Sequence, residues 1–178
     1  MTITGKPGIA VPVTGQPGPG DGPSFRRILV PIRQVSDAAE TLAVAALACG
    51  PTTGMLRLVH VRIYDPPLRG AGRFYPQTRS EAAAIPDEAL PIAWGYGLRA
   101  STAVVEAPRG RSPRPSGAAG EVAAAIAQQA SSWRADVIVM TRRPGLAICR
   151  LLLGSVPDEV MRKADCPVLT VRPGRIRP

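Results

Sequence analysis

Five short runs rich in Val, Leu and Ile recur along the chain, and stretches with helical spacing separate them. The runs are RRILVPI (26–32), MLRLVHVRI (55–63), LRASTAVVEA (98–107), ADVIVMT (135–141) and CPVLTVRP (166–173). The first is continuously apolar, as a strand buried on both faces must be, and that is the habit of central parallel strands. Strands alternating with helices predict an α/β fold: one open parallel sheet with helices on both faces. A sheet of that kind places its ligand crevice beyond the carboxyl ends of the strands, at the switch point of the strand order.

The helical stretches carry their own signals. After the first run, Asp37 is placed to cap a helix, with Glu40 three residues on, and Ala38, Leu42, Ala45, Ala46 and Cys49 share one face. Gly50-Pro51 ends it. Residues 64–80 read as a long loop. Between Ser80 and Leu98 a helix is expected, short or kinked because Pro86 and Pro91 interrupt it. From Gly120 to Trp133 the stripe Val122, Ile126, Ala130 and Trp133 predicts another helix, and a last one runs from Ser155 to about Ala164.

Residues 1–23 are dense in Gly and Pro and lack periodicity, so they read as a disordered tail ahead of a domain over 24–173, with a basic tail over 174–178. The longest apolar runs fall well short of the about 18 residues that span a bilayer, and no charged stretch precedes an apolar leader. These features predict a cytoplasmic protein with no membrane attachment. Three widely spaced cysteines (Cys49, Cys149, Cys166) and a single histidine, His60, suggest neither a disulfide framework nor a metal site. Net charge is +9, which favours acidic partners. The arginines look scattered and aromatics are not interleaved with them, which speaks against nucleic acid as a partner.

Several stretches bear on chemistry. GYGLRA (95–100) has the letters of a dinucleotide fingerprint but precedes a strand, so its glycines cannot lie between a strand and a helix. His60 alternates with Val59 and Val61 and reads as a satisfied core or edge residue. No nucleophile–histidine–acid set is present in the sequence, and no enzyme activity is expected. The last helix opens on Gly154-Ser155-Val156-Pro157-Asp158, where Ser155 is a good N-cap and the exposed N–H groups could meet an anion.

The order and wording of RRILVPI, DAAETLAVAALA (37–48), LRLVHVRIYDPP (56–67) and above all ADVIVMTRRPGLAICRLLLGSVPDEVMRKADCPVLTVRP (135–173) resemble the universal stress protein family. That resemblance implies a Rossmann-like, adenine nucleotide alpha hydrolase-like sheet of order 3-2-1-4-5. It also implies a homodimer through the fifth strand, with Pro167, Val168, Leu169, Thr170 and Val171 at the interface. In one branch of the family it implies an ATP site with the pattern Gly, two residues, Gly, nine residues, Gly, then Ser or Thr. Here those positions hold Thr141, Pro144, Gly154 and Ser155, so only the last two match. The Asp that holds the ribose in that branch is replaced by Arg33, and Pro31, Ile32, Val61, Met140, Arg143 and Val156 complete the nucleotide-binding set that the resemblance implies. Pro144 cannot wrap a phosphate as Gly does, and Arg33 cannot accept a hydrogen bond. Losing such a contact costs about 1.5–3 kcal/mol.

Three functions follow. The first is a non-catalytic stress-response protein with a degenerate adenine-nucleotide crevice. The second is a regulatory protein that binds ATP, another nucleotide or an anionic small molecule through loop 141–155, with Arg33, Arg142 and Arg143 near Ser155. The third, resting on net charge, is a basic nucleic-acid-associated protein.

Overall fold

The structure is a computed structural model that describes residues 25–50, 54–65, 73–109, 117–142 and 155–172. The tail over 1–23 and the basic segment 174–178 lie outside the described residues. Five strands, β1 (Arg27–Pro31), β2 (Met55–Tyr64), β3 (Arg99–Pro108), β4 (Val137–Thr141) and β5 (Val168–Val171), form one sheet of order β3-β2-β1-β4-β5. All four neighbouring pairs are parallel. Both the parallel sheet and its strand order agree with the expectation from sequence.

The helices are α1 (Ala38–Cys49), α2 (Arg79–Glu88), α3 (Leu90–Gly95), α4 (Gly117–Trp133) and α5 (Val156–Lys163). Side-chain alternation along the strands divides the interior in two. Ile28, Val30, Leu56, Leu58, Val137 and Val139 face Leu42 and Ala45 of α1 and Ala93 of α3. Leu29, Val59, Ile138 and Met140 face Ala123, Ile126 and Ala130 of α4 and Val160 of α5. Burying each large aliphatic side chain contributes about 1.5–3 kcal/mol, so these two layers dominate the stability of the sheet. No helix among the described residues is long and apolar enough to cross a membrane.

Two local expectations change. Asp37 stands at the N-cap of α1 but its side chain makes no capping hydrogen bond to the helix. A 3-10 turn over Val35–Asp37 leads straight into α1, and it holds Asp37 at φ −91° and ψ −7° instead of the extended conformation a capping side chain needs. Pro86, expected to interrupt the second helical segment, lies buried inside α2. The break falls at Ala89 instead, and Pro91 opens α3 from its first turn, where a missing N–H costs nothing. The start of α2 is fixed by a full capping box: Thr78 Oγ1 accepts from Glu81 N–H, and Glu81 accepts from Thr78 N–H at 2.7 Å.

GYGLRA lies where the sequence placed it. Gly95 ends α3, Gly97 takes a positive φ of 72° to turn the chain, and β3 follows. At the same amino-terminal end of the sheet Gly54 enters β2 against Cys49. A Cβ built on it would lie 2.2 Å from Cys49 Sγ. The sulfur therefore occupies the space a side chain at 54 would need.

A cleft at the carboxyl ends of β1 and β4

Strand order reverses between β1 and β4, because β1 is followed outward by β2 and β3 on one side and β4 by β5 on the other. A cleft of about 380 Å³ opens at that point, within the size range of small-ligand pockets. Pro31, Ile32, Arg33, Val61, Met140, Thr141, Ser155 and Val156, all named from sequence, line it together. Arg143, Pro144 and Gly154 lie outside the described residues.

The floor is apolar. Val59 and Val61 of β2 and Met140 of β4 meet Val122 and Ile126 of α4, which makes a wall suited to a flat or aliphatic group. Val59, Ile63, Val122 and Ile126 were not singled out from the sequence as site residues. The signal for them was present: the period of two along β2 puts Val59 and Ile63 on the face of Val61, and the α4 stripe carries Val122 and Ile126.

The rim is polar, and the hydroxyls of Thr41, Thr141 and Ser155 are already satisfied. Thr41 Oγ1 donates to the Asp37 carbonyl at 2.9 Å, and the Thr41 and Thr141 hydroxyls lie 2.7 Å apart. Since Thr41 has one proton and spends it on Asp37, Thr141 must donate to Thr41. Thr141 is thus tied to α1 and keeps only acceptor capacity for anything in the cleft. Across the cleft, Ser155 caps α5 by accepting from Asp158 N–H at 3.3 Å, and its own hydroxyl donates to Asp158 Oδ2 at 2.6 Å. Arg142 reaches the other oxygen of that carboxylate, Nη2 to Oδ1, at 2.9 Å. The positive end of α5 is therefore met by a carboxylate of its own chain, which is in turn neutralised by Arg142.

His60 also lines the cleft and is 7% exposed. Its Nδ1 lies 2.9 Å from the Ile32 carbonyl oxygen, to which it donates, and its Nε2 lies 3.1 Å from the Gln77 side-chain amide. Both ring nitrogens are engaged, which agrees with a satisfied core histidine. What the sequence did not disclose is that His60 also borders the cleft. Among the described residues no group of three or more His, Cys, Asp or Glu could hold a metal ion.

Comparison with known proteins fits this architecture. The model of the universal stress protein family matches residues 24–172. The chain belongs to the universal stress protein family. Among solved structures, a universal stress protein from Archaeoglobus fulgidus superposes with a TM-score of 0.57 at 22% identity, covering 82% of this chain and 98% of that one. A second structure of the universal stress protein from that organism, in complex with dAMP, gives 0.56 at 23% identity over 82% and 97%. A universal stress protein in complex with cAMP gives 0.52 at 21% identity over 83% and 97%. Among curated proteins, no sequence matches. At these identities the likeness is one of fold, and this family member must be read from its own residues. Among its described rim residues, Thr141, Ser155 and Arg142 have their donors committed within the chain.

Proposed function

We propose that this universal stress protein is a non-catalytic, cytoplasmic stress-response domain whose cleft takes the base and sugar of an adenine nucleotide and holds a triphosphate weakly. The observation that carries this reading is the Ser155–Asp158–Arg142 network at the start of α5. A phosphate arriving there would have to displace a carboxylate or share Arg142 with it. The apolar wall of Val59, Val61, Val122 and Ile126 keeps a surface on which a purine can lie. Complexes of solved relatives with dAMP and cAMP support a nucleotide with few phosphates as the ligand class. The doubly engaged His60 supports a binding role over acid–base chemistry.

In this reading the domain works as a homodimer through β5. That strand is a sheet edge, and Leu169, 38% exposed, stands on it with Val168 beside it; an apolar edge strand favours pairing with a second copy. Titration calorimetry with AMP and ATP tests the ligand assignment. AMP should bind as well as or better than ATP, and tight saturable ATP binding would overturn it. Light scattering tests assembly, with a monomer at every concentration as the contrary result.

Arg33 favours a second reading, in which the cleft takes an anionic small molecule. Among the described residues its guanidinium makes a single long hydrogen bond, 3.5 Å to Gln34, and it lines the cleft. Arg33→Gln should then weaken binding of a carboxylate or phosphate ligand and leave adenosine unaffected.

A further inference from the structure

The arginines that look scattered in sequence are sorted by the fold. Register places Arg27 of β1 and Arg99 of β3 on either side of Met55 of β2, at the amino-terminal end of the sheet. Arg57 follows one side-chain step along β2 on the same face, and Arg134 leaves the end of α4 beside them at a left-handed φ of 53°. Strand spacing of about 4.8 Å sets Arg27 and Arg99 about 10 Å apart. Arg27, Arg99 and Arg134 are exposed and Arg57 is half-buried.

Two of the four are held in place by an aromatic ring. Trp133, 6% exposed, lies under two guanidiniums, with Arg27 Cζ 4.7 Å and Arg57 Cζ 5.1 Å from its ring centre. Such stacking orients an arginine without neutralising it. The Arg57 Nε is buried with no hydrogen-bond partner. Asp136 is close, but its Oδ2 accepts the backbone N–H groups of Arg26 and Arg27, both at 2.8 Å. Among the described residues, none of these four guanidiniums forms an ion pair. The 24 residues that precede the described chain carry one Lys and one Asp, so they do not supply the missing negative charge.

We infer that this edge is a docking surface for the phosphate backbone of double-stranded nucleic acid, contacted without regard to sequence. Four unneutralised forks along one end of the sheet, two of them oriented over Trp133, match a line of phosphates, and the +9 charge of the chain steers a polyanion toward it. The duplex is favoured over a single strand because the aromatic ring in the row is covered by arginines and offers no face for a base.

The test is fluorescence anisotropy of the full chain with a labelled DNA duplex across a salt series. Each phosphate contact adds about −0.9 to the slope of log K against log salt, so this row predicts a slope of about −3 to −4. Arg27→Gln with Arg99→Gln should weaken binding at least about tenfold and reduce the slope by about 2. Arg99→Gln with Arg134→Asn leaves the Trp133 stack intact and should act alike, because Asn tolerates the left-handed conformation. The control removes equal charge elsewhere: Arg62→Gln with Arg109→Gln, both ion-paired, should change affinity less than threefold. Three results would overturn the inference: equal losses in the control, unchanged binding in both row variants, or tighter binding of the single strand than of the duplex.

Discussion

The two ends of the sheet carry similar numbers of arginines and treat them in opposite ways. At the carboxyl end, Arg62 pairs with Glu106 at 3.2 Å and lies over Tyr75, Arg109 pairs with Asp65, and Arg142 pairs with Asp158. Tyr75 adds a hydroxyl bond of 2.8 Å to Glu106, so one carboxylate gathers two arginines and a phenol. At the amino end Arg27 and Arg57 stack on Trp133, and among the described residues none of the four row guanidiniums forms an ion pair. Similar charge therefore does two jobs: at one end it is spent on carboxylates, Arg142 at the rim of the cleft among them, and at the other it leaves a field open to solvent. Net charge alone does not distinguish these jobs, because it has no address within the fold.

Removing the ring beneath the open row should produce the largest effect. Trp133→Ala deletes a buried aromatic between sheet and α4, at a cost of about 3–5 kcal/mol, which lowers Tm by about 6–20 °C for a domain of this size. An unchanged melting curve would break the claim that the row is held from below. Next comes the closed end. Arg33→Asp with Thr141→Gly and Pro144→Gly restores the acceptor and glycines of an ATP-binding pattern, and calorimetry should show ATP affinity at least about tenfold higher. A folded triple variant that still ignores ATP would mean that the Asp158–Arg142 pair by itself shuts the site, which sharpens the comparison.

A smaller effect is expected for Ser155→Ala, which removes the cap of α5 at about 1 kcal/mol by denaturant titration and leaves Asp158 to Arg142 alone. The smallest is an acid effect on α2. The Thr78 N–H and hydroxyl hold the Glu81 carboxyl below its usual 4.5. A lowered folded pKa adds stability that is present above the unfolded value and is lost as pH falls through the folded one. Protection of the amides at the start of α2, taken relative to the intrinsic exchange rate at each pH, should therefore fall below about pH 4.5, and Glu81→Gln should abolish the change.

Much of the architecture could be read from the residues, since continuous apolar runs such as Ile28–Val30 fit only a strand covered on both faces. The cleft was partly legible. Ser155 and Val156 announced a capped helix start, and the family pattern located Arg33 and Thr141. The pairing of Thr141 with Thr41 was not readable, because the two are 100 residues apart and meet only once β4 lies beside β1. The arginine row escaped for the same reason: Arg27, Arg57, Arg99 and Arg134 are neighbours in the sheet and strangers in sequence. Pro86 misled because it falls in the last turn of α2, where it forfeits one bond, to the Ala82 carbonyl, and the helix ends by Ala89 in any case.

The contact between Gly54 and Cys49 sets an order on how this chain can change. With the sulfur 2.2 Å from where a Cβ would stand, any side chain at 54 needs the thiol to swing away or be absent. Cys49→Ala removes that clash and leaves the Phe25 carbonyl oxygen at 3.2 Å as the tightest neighbour, so Gly54→Ala should be better tolerated after it than before it, and the two substitutions will not sum as independent ones do. A lineage that drifts at position 49 gains freedom at 54, while one that starts at 54 meets a barrier. The packing at this corner works as a one-way gate on the sequences reachable from here.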